Sequence, residues 1–323
     1  MVLLIGTNPR LEAPIVNARI RKRWRDSNLQ VAVIGQPGDL TYSYAHLGTD
    51  AAVLTQIVKG EHAFSQVLKG AKRPMVILGA GALARGDGPA LQAAVRTLAE
   101  SFTLIQDGWN GFNVLNLVAG RVGGLDVGFL PGEGGRDTRA ILDGSKAGEI
   151  EVLYLLGADE IDASRIGPST FVIYQGHHGD RGAHRADVVL PGAAYTEKNA
   201  TYVNIEGRVQ RARMAVFPVG EAREDWKILR VLSERLGKVL PYDSLAQVRE
   251  RMAAVNPVFA VTDTAQPAPW QPFGTPGPLA AEPFAPVIDN YYMTDPISRA
   301  SVTMAKCTEA FGQSREGKTG THG

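Results

Sequence analysis

The 323 residues contain one cysteine, Cys307. A lone thiol closes no disulfide within the chain, so the framework of a small secreted domain is excluded. One sulfur also cannot provide the thiolate set of a zinc ribbon or a cubane iron–sulfur cluster. Long hydrophobic runs are missing: no stretch approaches the ~20 apolar residues of a membrane span. The opening MVLLIGTNPR has five apolar residues before Gly6 and no basic leader, too little for a signal-peptide core. An excess of one charge is missing as well. Thirty-four Lys and Arg meet 33 Asp and Glu, a net +1, which argues against an electrostatic footprint for nucleic acid. These absences predict a soluble protein of a reducing compartment, with no direct membrane insertion and no nucleic-acid partner.

A folding composition is present. Hydrophobic residues make up 44% and charged residues 21%, which suits a globular chain of about two domains. Short Val-, Ile- and Leu-rich runs recur at Val2–Ile5, Val31–Ile34, Met75–Leu78, Phe102–Ile105, Val152–Leu156, Phe171–Tyr174 and Val188–Leu190. They show little polar alternation, which is how a parallel strand covered on both faces reads. Helix patterns lie between them: Pro14–Arg25 opens on proline, Asp50–Lys59 and Glu61–Lys69 stop before Gly60 and Gly70, and Ala90–Ser101 is amphipathic. The alternation predicts an α/β fold of two Rossmann-like units, mainly parallel sheet flanked by helices.

Nine glycines in Gly108–Gly135 mark a boundary. Further on, Ile205-Glu206-Gly207 reads as a hairpin turn between Thr201–Asn204 and Arg208–Arg211. Asp225–Leu236 and Ser244–Ala254 read as helices, the second capped by Ser244. Nine of the 19 prolines fall between Pro257 and Pro296, so that segment is an extended strap. Trp270, Phe273, Phe284, Tyr291 and Tyr292 are its expected anchors, and Asp295–Ala305 is a last short helix. The expected segments are 1–107, a partial first α/β unit and its neighbour; 108–256, a second unit with hairpin and helices; and 257–323, strap and disordered tail, cut first by protease after Arg315 or Lys318.

Several local motifs carry little chemistry. Gly312–Thr319 matches a phosphate-loop pattern but lacks the strand before and the helix after. Gly79–Ala84 matches G-x-G-x-x-[GA], yet Arg85–Gly88 interrupt before the helix, and Glu100 stands before the next strand, misplaced for a ribose. His177, His178 and His184, with Asp180 and Asp187, read as a solvated strand-end loop rather than a metal site. Arg19, Arg21, Lys22, Arg23 and Arg25 form a basic helix surface above the apolar anchors Ile15, Ile20 and Trp24. Asn199-Ala200-Thr201 fits a glycosylation pattern without a secretory context, and no Ser/His/Asp set is singled out.

Two longer segments are more specific. VLLIGTNPRLEAPIVNARIRK, Val2–Lys22, is a strand, a G-T-N-P-R turn and a helix; ADVVLPGAAYTEKNATYVNIEGRVQ, Ala186–Gln210, is the second. Together they resemble the molybdopterin-oxidoreductase superfamily, and within it the large iron–sulfur G subunit of NADH–quinone oxidoreductase, respiratory complex I. The tail segment Asp295–Ala305 is similar to the end of that subunit in its alphaproteobacterial and mitochondrial forms. The resemblance implies a molybdopterin-oxidoreductase-like body with a proline-rich C-terminal strap. It implies vestigial pterin-facing loops at Gly6 and Asn8 and at Glu197, Thr201, Asn204, Glu206, Gly207 and Arg208, with no cofactor bound and no catalytic or metal-ligating residue. It further implies 2Fe-2S and 4Fe-4S clusters on a cysteine-rich region upstream of Met1, the other peripheral-arm subunits as partners, and the cytoplasmic face of the bacterial inner membrane as location. The parent would pass electrons from NADH to quinone and couple them to ion transport; this segment would scaffold and not catalyse. The alternatives are a fragment of a molybdopterin-dependent oxidoreductase of the formate dehydrogenase kind and a free-standing nucleotide-binding module. Since the family's upstream region is missing, Met1 reads as an internal methionine, and Val2–Ile5 is expected to leave an unpaired edge.

Overall fold

The computed structural model describes residues 1–179 and 181–312. The first compact unit is Met1–Val118 with Pro267–Tyr291; the second is Ala119–Gln266 with the segment from Tyr292. The expected segments 1–107, 108–256 and 257–323 do not coincide with these units.

In the first unit the chain runs β1 (Val2–Ile5), α1 (Pro9–Glu12), α2 (Pro14–Arg25), β2 (Val31–Ile34), β3 (Ala45–Gly48), α3 (Ala51–Lys59), α4 (Phe64–Gly70), β4 (Met75–Leu78), α5 (Ala80–Leu83), α6 (Gly88–Ser101), β5 (Ile105–Gln106), β6 (Trp109–Asn110) and β7 (Phe112–Val114). Five strands make one parallel sheet in the order β3-β2-β1-β4-β7. Alternate residues face opposite sides. Leu3, Ile5, Ala32, Ile34, Val76 and Leu78 meet apolar residues of α3, α4 and α6. Val2, Leu4, Val31, Val33 and Ile77 meet Ile20 of α2 with Leu40 and Tyr42. Both faces are covered, which is why the strands carry continuous apolar runs. Local signals set the helix ends. Asp50 accepts the Ala52 N–H at 2.8 Å, and Gly60 ends α3 in the left-handed region at φ 79°.

Several expectations need correction. Val2–Ile5 is the central strand, hydrogen-bonded to β2 and β4 of the same chain, so it leaves no unpaired edge. Phe102 is the C-cap of α6 and packs into the core; only Ile105–Gln106 is extended, in a small antiparallel pair with Trp109–Asn110. The fifth strand of the sheet, β7, lies inside the glycine-rich stretch expected to be a boundary. Ile15 is 73% exposed, so the apolar anchors of α2 are Val16, Ile20 and Trp24.

The strap returns to the first unit from far along the chain. Phe284 is 1% exposed, within the cluster of α3, α4 and α6, and its N–H donates to Thr49 O at 2.9 Å. Phe273 packs tilted and Trp270 edge-on against Phe112, at centroid distances of 4.9 and 5.6 Å. Arg85 donates to the carbonyls of Ala280 and Glu282, while Asp87 accepts the Ala280 N–H at 2.8 Å. Three of the five expected anchors thus hold Pro267–Tyr291 down; Tyr291 is 45% exposed. The expected tail cleavage sites, Arg315 and Lys318, lie outside the described residues.

The second unit runs α7 (Arg121–Asp126), α8 (Thr138–Lys146), β8 (Val152–Leu156), β9 (Phe171–Gly176), α9 (Arg181–Arg185), β10 (Val188–Pro191), β11 (Ala200–Val203), β12 (Val209–Ala212), α10 (Asp225–Arg235), α11 (Leu245–Val255), α12 (Pro296–Arg299) and α13 (Val302–Cys307). Its sheet is parallel in the order β10-β9-β8. Leu155, Val172 and Tyr174 pack with Leu142 of α8 and Ile166. β11 and β12 form the expected hairpin, with Gly207 at φ 76° in its turn. Val203, Val209 and Phe259 bury together beneath it, so the start of the proline-rich segment belongs here.

Candidate functional site

In a sheet of order β3-β2-β1-β4-β7 the chain reverses its direction of winding between β1 and β4. The carboxyl ends of those strands are where an open α/β sheet offers a ligand crevice. Gly6 and Asn8 follow β1 there, and Gly79 follows β4. Gly6 sits at φ 57°, and an added Cβ would meet Ala82 N at 2.7 Å. A Cβ on Gly79 would lie 2.3 Å from Thr7 Cβ, and one on Gly81 would lie 2.6 Å from Ala285 O and 2.7 Å from Gly6 O. The glycines of the G-x-G-x-x-A pattern therefore admit backbone, not phosphate. The short helix α5 opens directly on Gly79, where the sequence suggested an interrupted start. The strap carbonyl of Ala285 approaches this short helix at Gly81.

The polar groups of the same turn are engaged by Glu12, at the end of α1. Its carboxylate accepts the Thr7 hydroxyl at 2.9 Å and the Asn8 N–H at 2.6 Å. The Asn8 side chain accepts the Arg10 N–H at 3.2 Å. Burial pushes the Glu12 carboxyl up from its ordinary value, and the bonds from Asn8 and Thr7 pull the other way. Glu12 stands four residues after Asn8, at the reach of one helical turn; that spacing was the available signal for its role.

The second family loop lies in the other unit. Asn204 Oδ1 accepts the N–H groups of Glu206 and Arg208 at 2.9 and 3.0 Å, and Asn204 N–H donates to Arg208 O. Arg208 reaches Glu206 at 3.2 Å and the Asp263 carbonyl. Asn204, Glu206, Gly207 and Arg208 are thus one closed turn. Thr201 pairs with Arg211 in the hairpin. Glu197 stands apart and accepts the Ala194 N–H at 3.0 Å. All of these side chains are half-buried or exposed, and only Asn204, Glu206 and Arg208 bond within one turn.

Sequence reading missed a polar row beside them. Lys198 pairs with Asp225, Asp225 accepts from Gln175 at 2.8 Å, and Tyr154 donates to Gln175. A cavity of about 470 Å³ opens nearby, past the carboxyl ends of β9 and β10, lined by His177, Tyr195, Asp295, Ile297, Ser301 and Met304 among others. Burial, then His178 and Lys198, hold the His177 imidazole below its usual range, against Asp225 and Glu197. Its Nδ1 lies 2.8 Å from that of His178. Asp295 and Ser298 cap α12 reciprocally, and Ser301 caps α13, so these three lining residues are engaged in helix capping. Among the described residues no three His, Cys, Asp or Glu side chains converge as metal ligands. Asp180 and most of Gly312–Thr319 lie outside them.

The family model of molybdopterin oxidoreductases matches residues 1–235. The chain belongs to the molybdopterin oxidoreductase family. A second model, for the C-terminal part of the G subunit of NADH-ubiquinone oxidoreductase, matches residues 261–307, the stretch holding the strap, α12 and α13. The 78 kDa subunit of mitochondrial NADH-ubiquinone oxidoreductase from Neurospora crassa is 46% identical over 321 residues, 96% of this chain and 42% of that protein. The mitochondrial NADH dehydrogenase [ubiquinone] iron-sulfur protein 1 of Solanum tuberosum is 44% identical over 95% of this chain and 40% of its own length. The 75 kDa subunit of Reclinomonas americana is 44% identical over 96% and 45%. This family member therefore spans about two fifths of the length of the curated relatives it matches. At β1 and β4 the glycines pack against neighbouring backbone, and Glu12 bonds the turn after β1. No helix of the described residues is long and apolar enough to cross a membrane.

Proposed function

We propose that this chain is a scaffold segment of the large iron–sulfur subunit of a respiratory NADH–quinone oxidoreductase, holding no redox centre itself. The observation that carries the reading is the match to complex I subunits along 95–96% of the chain, including the strap and the two last helices. The residue inventory supports it: one thiol ligates no cluster of four cysteines. The packed glycines at β1 and β4 support a pterin fold kept for its shape. In this reading Gly6 and Asn8, with Glu197, Thr201, Asn204, Glu206, Gly207 and Arg208, are remnants of pterin-facing loops that now bind only protein. The 2Fe-2S and 4Fe-4S clusters belong to the rest of the subunit, and the partners are the other peripheral-arm subunits. The location is the cytoplasmic face of a bacterial inner membrane, the counterpart of the mitochondrial setting in the names of two relatives.

The test is an affinity tag on the protein in its native host. It should co-purify with NADH:quinone reductase activity, and the isolated chain should contain no stoichiometric iron, molybdenum or tungsten. Molybdenum or tungsten bound one-to-one, or a tagged protein separate from that activity, would overturn the reading.

A further inference from the structure

Helix α2 is held to its sheet by one face. Val16, Ile20 and Trp24 pack there with Val2, Leu4 and Tyr42. The outer face carries a concentrated charge. Arg19, Arg21, Lys22, Arg23 and Arg25 are all exposed, and Asp26 is the one carboxylate among them, in a chain whose net charge is +1. Arg25 bonds Asp26 at 2.9 Å, and Arg21 donates to the Thr41 carbonyl at 3.1 Å. Among the described residues the side chains of Arg19, Lys22 and Arg23 form no ion pair and no hydrogen bond. Other arginines of the same unit find carboxylates: Arg10 pairs with Asp39 and Arg85 with Asp87.

The helix itself accounts for part of this charge. Cations in the last turn favour the negative end of the helix dipole, which covers Lys22, Arg23 and Arg25. That effect falls off within one turn and does not reach Arg19. Nor does it explain Ile15, which is 73% exposed in the first turn. At 3.6 residues per turn Ile15, Arg19 and Lys22 form one row along the outer face, with Ala18 and Arg23 on either side. An apolar residue continued by unpaired cations suits an interface whose other side carries carboxylates.

We propose that the outer face of α2 is the docking surface for an acidic face of another protein. Its carboxylates would meet Arg19, Lys22 and Arg23, and an apolar residue would cover Ile15. Planar guanidinium groups pair carboxylates in bidentate fashion, which gives such a contact its register. Two other classes of partner fit less well. An anionic membrane takes up a helix through a free apolar stripe, and that of α2 is packed on the sheet. A single nucleic-acid strand needs an aromatic platform, and Trp24 is turned to Tyr42, with ring centroids 6.4 Å apart. A duplex needs a basic field wider than one twelve-residue helix in a nearly neutral chain. The proposal stands on α2 and not on the functional reading; under that reading the acidic protein is another subunit of the same complex.

The experiment uses the assembly that the protein forms in its native host. Zero-length carbodiimide coupling joins the Lys22 Nζ to a carboxylate in contact with it, and mass spectrometry locates the junction. Lys22 should couple to Asp or Glu of a second protein, and Arg19→Lys should add a junction to the same protein. The double variant Arg19→Glu, Lys22→Glu should lower retention of that protein by about 10-fold or more at low ionic strength. The isolated double variant should melt as the unaltered chain does, which shows that it folds. Coupling of Lys22 only within its own chain or to a second copy of it, or unchanged retention in the folded double variant, would overturn the proposal. So would phosphatidylserine vesicles or a DNA duplex that bind the chain at physiological salt and release the double variant. An acidic protein coupled to Lys22 in an assembly without NADH:quinone reductase activity would sustain this proposal and sink the functional reading. An active assembly in which Lys22 couples to no second protein would do the reverse.

Discussion

Phe284→Ala isolates the grip of the strap on the first unit. The ring is 1% exposed among residues of α3, α4 and α6, and the Arg85 guanidinium lies 5.2 Å from its centroid. Truncating a buried phenylalanine removes its transfer free energy and leaves a cavity, about 3–5 kcal/mol together. The neighbours are sheet and helix residues that cannot collapse far, so the upper half of that range is expected. In a unit of this size each kcal/mol lowers the melting temperature by about 2–4 °C, which gives a fall of about 10 °C or more. Thermal melting measures it, and limited chymotrypsin digestion locates it: new cleavage should fall within 267–291 before the sheet is cut. A loss below about 1 kcal/mol with 267–291 still protected would mean that the strap is held by its hydrogen bonds and that Phe284 is a passenger.

The Arg85 hydrogen bond to Asp87, with the Ala280 N–H added and burial opposing, holds the Asp87 carboxyl below its ordinary value of 3.8. A depressed carboxylate contributes fully above the ordinary value and is lost as pH falls through the lowered one. Acid below about pH 4 should therefore weaken the hold on the strap, and Asp87→Asn should flatten that limb of the melting-temperature profile; parallel profiles would refute the link. Gly79→Ala and Gly70→Ala should act in opposite directions. The first drives a Cβ to 2.3 Å from Thr7 Cβ and should cost several °C, while the second meets nothing within 4 Å and should stabilise α4 by about 0.5–1 kcal/mol. Two melting curves decide it, and a tolerated Gly79→Ala would show that the crevice has room to spare. Ser244→Ala removes the cap that accepts the Gln247 N–H at 3.3 Å and should cost about 1 kcal/mol in a denaturant titration; no change would show the cap to be idle.

Strands buried on both faces were legible because burial itself writes a continuous apolar run, as in Val31–Ile34 and Met75–Leu78. Ala45–Gly48 carries no such run, since it is an edge strand of the sheet with a histidine and two small residues, and it went unread. Phe112–Val114 was hidden by the glycines around it, one of which, Gly111, is packed against the Pro74 carbonyl. Phe102 looked like a strand start because a helix C-cap facing the core is equally apolar. The two family turns were visible as turns, but what closes them was not. Asp263 reaches Arg208 from 55 residues away and Ala285 reaches Gly81 from the strap, and neither separation leaves a periodic trace. The strap was legible from its prolines and aromatics, and its division between two units was not.

The return of the strap to the first unit sets an order of events during synthesis. The bond from Arg85 to Ala280 spans 195 residues. At ~5–20 residues per second a ribosome needs roughly 10–40 s to deliver the second partner after the first. During that interval the β1–β7 sheet has emerged with the place of Phe284 vacant, while the whole second unit is still being made. The nascent chain is thus a half-closed body carrying an apolar notch, a substrate for chaperones until its own tail arrives to seal it.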